Sequence, residues 1–570
     1  MTGVADDVAD RVRHGVTLAV DGLLARQRDD GSWQDTLPSA AVATASSVIA
    51  LHLADPVGSA HLVRAGVQWL RDTQNDDGGW GDAVGAPSTL NVTPYAVGAL
   101  HFLEPEESVE HVRRGLARIE SFGGEAAMSD RDRCKLFVMC QQFLAFAGLY
   151  DEKRIMRLPI EVILLPRRLR QKVSFTVPFL LSWGLMQAHT RRSGPLRRAI
   201  NRFSSPRALS YLDRLHEFEG PDGGYQESPF MVALVCIGLA RAGIRPDIVR
   251  RCGDYLHTTV RADGSWPVNR DLEFSATSFV THGLQAAGRS RDQTLRATEQ
   301  WIRMCQRDTQ FAPTGCPPGG WGWSRHCGWP DTDDTANAVI SLARFGRIRT
   351  DEAMRLGLDW LRAMQNRNGS WSCFCTNSPV GLDGPCPAMT AHAVTALYEA
   401  GGHAISDAPV ATALRWFARA QRSDGSFTCP WYRGLVAGTG STLEALGRMG
   451  LAEGTTARRC RQWLLAAQND DGGWGDGQGA ESTAEETAWA LLGLLHSGPT
   501  DHPGVRRGAV WLTERQRPDG LWDPALVGVY FLDLMYSCDL LATGYALQAL
   551  GRYWEMETSR DWRQTAHADV

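Results

Sequence analysis

Apolar stretches about as long as one α-helix alternate with short polar turns along most of the chain. One stretch, residues 63–73, precedes the turn at Asp77-Gly78, and a second apolar stretch follows at residues 93–102. Asp-Gly is typical of a turn that ends a helix, because Gly takes positive φ without strain. No segment alternates apolar and polar residues over the length of a strand. The pattern therefore predicts an all-α protein in which strands are minor.

A short motif recurs at the end of the first helix of each pair: a Gln, a turn that contains Gly, and an aromatic residue. Five copies separate the Gln from a Trp by six residues: Gln27/Trp33, Gln74/Trp80, Gln365/Trp371, Gln468/Trp474 and Gln516/Trp522. A stretched copy runs from Gln306 to Trp321, and Gln421 leads to Phe427. A period of roughly fifty residues predicts helix-pair repeats, which form either a solenoid or a closed α/α barrel. For any single Gln–aromatic pair, a purely structural role in the scaffold is a sufficient explanation.

Composition limits the class of protein. The chain has 570 residues, 43% of them hydrophobic and 22% charged, which is enough for folded cores in more than one domain. The formal net charge of -5 gives no indication of a nucleic-acid partner. The first residues lack the pattern of a signal peptide, no apolar run is long enough to span a bilayer, and the 13 Cys are scattered. These features predict a cytoplasmic protein with reduced thiols.

Three carboxylates stand in front of one apolar helical pattern. Asp331, Asp333 and Asp334 precede the pattern of residues 337–342. One interpretation is a helix cap, in which Asp side chains accept hydrogen bonds from free backbone N–H groups and favour the positive end of the helix dipole. The other interpretation is an acid for a demanding protonation. Crowded carboxylates keep one carboxyl protonated, and hydrogen bonds and the dipole stabilise the anion that is left afterwards.

These residues match the DxDD motif, and the Gln–Trp motifs match the QW repeats, of the squalene-hopene cyclase and oxidosqualene cyclase superfamily. The chain resembles this family over nearly its whole length, including Gly438-Thr439-Gly440 and residues 549–553. The resemblance implies a class II terpene cyclase, which protonates a linear isoprenoid and folds it into fused rings. It also implies two α/α barrels, one inserted into the other. We expect residues 35–275 in the inserted barrel, and residues 8–34 with 276–560 in the catalytic barrel.

By the same resemblance, Asp333 is the general acid, and Asp331 and Asp334 are its tuning partners. The family also has a His that hydrogen-bonds the acid, and the sequence Met389-Thr390-Ala391-His392 matches that stretch. His392 is therefore the candidate partner of the acid, although a lone His on a helix is otherwise explained as a core residue. Hopene cyclases carry an Asp four residues before this His, where this chain has Ala388.

The wall around a carbocation is expected to be aromatic, because ring faces stabilise positive charge without reacting with it. Candidate substrate-binding residues lie beside the family motifs: Trp323, Trp329, Trp431, Tyr432, Tyr530 and Tyr536. Core packing explains each of them equally well when it is taken alone. Val529 and Asp533 stand where hopene cyclases place further aromatic residues. This departure suggests fewer cyclisation steps or a shorter substrate, and it makes Asp533 a candidate terminating base.

The expected substrate is a hydrophobic isoprenoid of the C15–C20 class, as a polyprenyl diphosphate or a related terpenoid, and squalene is the alternative. No cofactor is required, and Mg²⁺ is expected only with a diphosphate substrate. The basic cluster at residues 167–172 precedes an apolar stretch at 173–186. The basic cluster has three possible explanations. It is the solvated start of a buried helix, a monotopic contact with the inner face of a membrane, or a binding site for a diphosphate.

Two alternatives come from other classes of protein. A protein prenyltransferase β-like subunit shares the α/α barrel, but it needs a Zn site. The available cysteines show no clean Zn spacing: Cys316, Cys327, Cys373, Cys375 and Cys386. A non-catalytic helical repeat scaffold would make Asp333 a cap only, so that Asp333→Asn would change no turnover. The sequence indicates no oligomeric state.

Overall fold

A computed structural model describes residues 2–219, 224–270, 272–325, 329–477, 479–530 and 534–568. The chain forms two compact units. Unit 1 consists of Met1–Asp35, Leu272–Gly528 and Ser537–Val570, and unit 2 of Thr36–Asp271 and Val529–Tyr536. Residues 529–536, which the sequence assigned to the catalytic barrel, thus belong to unit 2.

The described residues confirm an all-α fold, with 23 α-helices and two strands of three residues each. In chain order the helices are α1 Thr2–Leu24, α2 Ala41–Ala54, α3 Ala60–Asp72, α4 Thr93–Leu103, α5 Val109–Ser121, α6 Gly124–Ser129, α7 Phe137–Phe146, α8 Arg167–Arg170, α9 Val177–Thr190, α10 Pro195–Glu219, α11 Pro229–Ala242, α12 Pro246–Thr259, α13 Glu273–Ala286, α14 Arg296–Met304, α15 Thr332–Arg344, α16 Glu352–Ala363, α17 Pro387–Thr395, α18 Ala408–Ala420, α19 Val436–Arg448, α20 Thr455–Ala466, α21 Ala484–Ser497, α22 Pro503–Glu514 and α23 Asp539–Ala568. The strands β1 (Gly528–Tyr530) and β2 (Leu534–Tyr536) pair with each other. A π-turn, Ala396–Ala400, continues α17.

Unit 1 is a closed α/α barrel. Its six inner helices pack in a ring in the order α13, α15, α17, α19, α21 and α23, and α23 packs back on α13. Most residues of the inner helices α13, α15, α17, α19 and α21 are buried, as expected for helices that are covered on both sides. The outer helices α14, α16, α18, α20, α22 and α1 pack against them. Helix α1 takes the place beside α22 and α23, so the first helix of the chain completes the outer ring.

The recurring Gln–aromatic motif ties neighbouring outer helices together. Gln468 Nε2 donates to the carbonyl of Gly472 (2.7 Å) and to that of Gly504 (2.8 Å) in the first turn of α22. The indole Nε1 of Trp474 donates to the carbonyl of Leu464 at 2.7 Å. The turn between them needs a Gly, because Gly472 has a φ of +94°. The motif therefore satisfies backbone groups at the end of one outer helix and at the start of the next.

The same motif gives all six inner helices of unit 1 one register. Each carries a Thr whose Oγ1 accepts a hydrogen bond from the backbone N–H of a motif aromatic residue. These reference threonines are Thr277, Thr335, Thr390, Thr439, Thr487 and Thr543. Residues at equal distances from the reference threonines therefore occupy equivalent positions in the ring.

Unit 2 is a smaller ring of helices. Helix α2 packs against α4 and α11, α4 against α7, and α11 against α9, while Phe143 of α7 stacks on Trp183 of α9 with 6.2 Å between ring centroids. Leu181, Trp183 and Leu185 are fully buried. The apolar stretch that follows the basic cluster at residues 167–172 is thus a core helix in its described part. Within the described ranges, no helix has the length and apolarity needed to cross a membrane.

Candidate active site

The carboxylate motif begins helix α15. Asp331 is the residue that caps it, with extended backbone angles and a side-chain Oδ1 that accepts from the backbone N–H of Asp334 at 2.8 Å. The backbone N–H of Asp331 donates to the carbonyl of Trp321 at 2.9 Å. Asp333 and Asp334 lie in the first turn of the helix. The cap predicted from the sequence is thus present, and it is made by the first of the three carboxylates.

Asp333 is held by two polar side chains. Its Oδ1 forms a short contact with Nδ1 of His392 and accepts from Nδ2 of Asn337 at 3.4 Å. The carboxyl is mostly buried, since only 12% of its side chain is exposed. Asp333 therefore does not point into open solvent, and a hydrogen-bond donor is placed at the oxygen that would carry charge after proton loss.

The two neighbouring carboxyls are almost fully buried and hold protons more tightly than an ordinary Asp. Burial, followed by the charge of Asp334, raises the pKa of Asp331 well above its usual range. Burial also raises the pKa of Asp334 to about 7, against the hydrogen bond that this residue forms with Asp331. Ser275 Oγ donates to Asp334 Oδ2 at 3.1 Å. At neutral pH the cluster therefore carries fewer negative charges than its three carboxyls suggest.

His392 is brought to the acid by α17. Burial opposes a charged imidazole, but the interaction with Asp333, together with other charges, outweighs burial and raises the pKa of His392 above 6.5. Ala388, where hopene cyclases carry an Asp, is buried and leaves no carboxylate one turn earlier on this helix. The sequence-based pairing of His392 with Asp333 is therefore found in the geometry.

Three of the predicted aromatic residues contact Phe374, an aromatic residue that the sequence analysis did not single out. Phe374 makes edge contacts with Trp323 (5.7 Å between centroids), with Trp329 (6.4 Å) and with Trp431 (5.7 Å). Trp323, Trp329 and Phe374 are buried. The backbone N–H of Phe374 donates to the carboxyl of Asp383 at 3.0 Å, which fixes its loop. Thr332 N–H donates to the Cys373 carbonyl at 3.0 Å, so this loop is attached to the start of α15.

A second aromatic row includes Tyr432. The ring centroids of Tyr432 and Trp489 are 4.9 Å apart. The centroids of Trp489 and Tyr545, and those of Tyr545 and Phe279, are each 5.5 Å apart. Trp489, Tyr545 and Phe279 each stand two residues after a reference threonine, as His392 does. Burial, with the charge of Asp333 next, raises the pKa of Tyr545 well above its usual value. The shared register is the sequence signal that would have found these rings.

Tyr530 and Tyr536 belong to unit 2. They stack on each other at 4.3 Å between ring centroids, on the strands β1 and β2. Asp533, the candidate terminating base, lies outside the described residues. These two tyrosines are therefore brought together with each other, and their role toward the substrate stays a prediction.

The described ranges contain no group of three or more His, Cys, Asp or Glu side chains that could hold a metal ion. Four cysteines considered for a Zn site are buried free thiols: Cys316, Cys373, Cys375 and Cys386. Cys327 lies outside the described residues. Cys386 and Cys429 approach each other at 3.3 Å between their Sγ atoms.

Two sequence models of one family match the chain. The squalene-hopene cyclase C-terminal domain matches residues 274–555, and the squalene-hopene cyclase N-terminal domain matches residues 16–177. A probable squalene–hopene cyclase of Sinorhizobium fredii is 25% identical over 89% of this chain and 91% of its own length. The squalene–hopene cyclase of Alicyclobacillus acidocaldarius is 26% identical over 96% and 99%. A drimenyl diphosphate synthase of Streptantibioticus cattleyicolor is 27% identical over 53% and 57%.

A solved structure of a terpene synthase resembles the chain over nearly its whole length. The ent-copalyl diphosphate synthase from Streptomyces platensis has a TM-score of 0.61 at 20% identity, covering 95% of this chain and 99% of that one. At 20% identity this likeness supports the assignment of the fold and no more.

Proposed function

The chain belongs to the squalene-hopene cyclase family of class II terpene cyclases, and we propose that its general acid is Asp333 and its substrate a linear C15–C20 isoprenoid. In this proposal the carboxyl of Asp333 protonates a carbon–carbon double bond at one end of the chain. The resulting carbocation is attacked by the next double bond, and the rings close in sequence. The last carbocation then loses a proton to a base, or adds a water molecule that loses a proton, to give a neutral ring system. The observation that carries the proposal is the buried carboxyl of Asp333 in contact with His392 beside an aromatic cluster.

The surroundings of Asp333 suit a strong acid. After the proton leaves, the anion accepts hydrogen bonds from His392 and Asn337 at the N-terminus of α15, where the helix dipole is favourable. Asp331 and Asp334 would add repulsion if they were ionised. Their raised pKa values keep negative charge in the cluster low, so the new anion meets little repulsion from its neighbours. The cluster therefore favours proton release at one carboxyl.

The aromatic cluster suits the cation that follows. Phe374, Trp323, Trp329 and Trp431 present carbon faces and edges that stabilise positive charge electrostatically. Aromatic carbon does not trap a carbocation as a water or a carboxylate would. We propose that these rings, with Tyr432, line the path of the substrate, and that Tyr530 and Tyr536 act later on the path.

Two observations support a substrate shorter than squalene. Val529 and Asp533 replace aromatic residues that hopene cyclases place late on the path. The drimenyl diphosphate synthase, whose name indicates a diphosphate product, is among the relatives, although the match covers about half of each chain. Squalene is the second candidate, because the relatives that match along nearly their whole length are squalene-hopene cyclases. The comparisons favour neither the prenyltransferase subunit nor the scaffold.

We also propose that the substrate is collected from a membrane surface. Leu164, Leu165 and Leu169 are exposed hydrophobic residues beside the basic cluster of residues 167–172. Such a pairing of apolar and basic side chains suits a monotopic contact with anionic lipid. Sedimentation with vesicles of anionic phospholipid tests it: binding is expected for the native chain, and the triple change of these leucines to Ser is expected to abolish it. Equal sedimentation of both proteins would contradict it.

The proposed function is tested by incubating purified enzyme with farnesyl diphosphate, geranylgeranyl diphosphate and squalene, each with and without Mg²⁺. A cyclic product is expected from one of the two diphosphates. Asp333→Asn keeps the shape of the side chain and removes its acid, so no product is expected. Glu485→Gln is the matched control, because it removes a buried carboxyl at the equivalent position of α21. Turnover of squalene alone would overturn the substrate proposal, and an active Asp333→Asn variant would overturn the acid.

A further inference from the structure

The interior of the unit 1 barrel carries polar residues at successive levels. Two residues after the reference threonines stand Phe279, Asn337, His392, Ser441, Trp489 and Tyr545. Nine residues after them stand Ala286, Arg344, Glu399, Arg448, His496 and Arg552. Since an α-helix rises about 1.5 Å per residue, these two levels are roughly 10 Å apart along the inner helices. Ring contacts join members of the first level, and a cleft of about 600 Å³ is lined by five members of the second.

Glu444 lies between these two levels. It stands five residues after its reference threonine, on the inner helix α19 that packs against α17. Arg448 Nε donates to Glu444 Oε1 at 2.8 Å, and His496 Nε2 lies 3.8 Å from the same oxygen. Burial opposes ionisation of Glu444, but Arg448 outweighs it and lowers the pKa of Glu444 to about 2. Glu444 is therefore a carboxylate throughout the neutral range.

In the common register, His392 lies on the opposite side of Glu444 from Arg448. His392 and Glu444 are on adjacent inner helices and differ by three positions in register, which is roughly one turn or 5 Å along the barrel. The groups that act on His392 are Asp333 from α15, Glu444 from α19 and the buried Cys429 thiol before α19. His282 on α13 also interacts electrostatically with His392. Burial holds the pKa of His282 well below its usual value, so His282 stays neutral. His392 thus has an acidic side chain on each of the two neighbouring helices, Asp333 on α15 and the ionised Glu444 on α19.

We propose that Glu444 is a positioning residue for the acid, which keeps the imidazole of His392 protonated so that its Nδ1–H is donated to Asp333. The inference rests on the proposed function of Asp333. A protonated ring stabilises the Asp333 anion more than a neutral ring, because a charged donor forms the stronger hydrogen bond. Glu444 never touches the substrate in this scheme. It sets the pH below which His392 is charged, and through that the strength of the acid.

A purely structural role for Glu444 is the competing explanation. Arg448 lies in the last turn of α19, where a cation is favourable, and Glu444 could serve only to pair with it. Glu399 allows the two explanations to be separated. It contacts the same guanidinium, at 3.1 Å from Arg448 Nη1, but it lies seven residues beyond His392. Glu444→Gln and Glu399→Gln each remove one partner of Arg448, and only the first removes the carboxylate near His392.

The direct test is the titration of His392 in the unliganded enzyme. Imidazole ¹⁵N resonances are followed with pH in the wild type, Glu444→Gln, Glu399→Gln and Glu444→Asp, with His392→Gln used to assign the signal. We expect the pKa of His392 to fall by about one unit in Glu444→Gln, to change little in Glu399→Gln, and to be restored in Glu444→Asp. An equal fall in both Gln variants, or no fall in Glu444→Gln, would overturn the inference.

Kinetics give the second readout, with farnesyl diphosphate and geranylgeranyl diphosphate as probes. In Glu444→Gln the alkaline limb of the kcat profile is expected to move about one unit toward acid, with KM unchanged and kcat recovering at low pH. A loss of the same size at every pH points to structural damage and overturns the inference. If the profile is unchanged while Asp333→Asn is inactive, the positioning role fails and the acid stands. If Asp333→Asn is active, the proposed function itself fails.

Discussion

Glu485 offers a test of whether burial in the first turn of an inner helix keeps a carboxyl protonated. It stands two residues before Thr487, as Asp333 stands two residues before Thr335. Glu485 is fully buried, its Oε1 accepts from the backbone N–H of Ala525 at 2.9 Å, and its Oε2 has no hydrogen-bond partner among the described residues. Burial raises its pKa to about 8. The perturbation is Glu485→Gln, which keeps the acceptor and removes ionisation.

The expected size of the effect follows from linkage. The unfolded chain releases the Glu485 proton near pH 4.5, whereas the folded chain keeps it up to about pH 8. Between these values the folded state binds more protons, so its stability falls as pH rises. The loss is about 3 kcal/mol at pH 7 and approaches about 5 kcal/mol above pH 8. Glu485→Gln lacks this loss, so its advantage over the wild type should grow with pH and level off above pH 8.

The assay is the apparent Tm of both proteins at a fixed scan rate from pH 5 to pH 9. About 1 kcal/mol of the loss is already present at pH 5. At about 2 °C per kcal/mol for a unit of this size, the variant should therefore gain about 5 °C on the wild type between pH 5 and pH 7. Glu481→Gln, at an exposed position four residues earlier, is the control and should track the wild type. A difference between variant and wild type that stays constant with pH would refute the reasoning that burial holds this proton.

Three further predictions follow from the site and the repeat. His392→Gln should lower kcat about a hundredfold at neutral pH with little change in KM, because the acid loses a charged donor; equal losses in kcat and in folded fraction would contradict this. Phe374→Ala should release incompletely cyclised products and lower stability by about 3 kcal/mol, whereas Phe374→Leu, which fills the volume without a ring, should restore stability but not the product profile. Gln468→Ala should lower the free energy of unfolding by about 2 kcal/mol, measured by denaturant titration, and leave kcat unchanged. A fall in kcat at full folding would show that this motif is more than scaffold.

The sequence predicted the all-α fold because its evidence was local and repeated. Each Gln–aromatic motif satisfies backbone groups within its own repeat and the next one. The spacing of the motifs along the sequence was therefore enough to predict an array of helix pairs. The segment at residues 529–536 was harder to place. Its two short strands lie within a helical chain and join the compact unit built by residues 36–271, a tertiary association without a local signal.

The candidate site was predictable where chemistry and position coincide in one motif. The sequence indicated that Asp331, Asp333 and Asp334 form a helix cap. In the structure Asp331 makes the cap, whereas Asp333 contacts His392. Phe374 carried no such signal, because it stands in a loop between two cysteines and meets its three Trp neighbours only after folding. Tyr545 and Glu444 lie within inner helices, where only the common register reveals that Tyr545 shares the level of His392 and that Glu444 lies about one turn beyond it.

The most direct measurement of the central claim is the isotopic content of product made in D₂O. An acid that exchanges with solvent and starts the reaction by protonating a double bond must leave one deuterium on carbon in every cyclic product. We predict a product one mass unit heavier than that made in H₂O, with the label at the carbon protonated first, and no product from Asp333→Asn. A cyclic product without deuterium on carbon would contradict protonation as the first step.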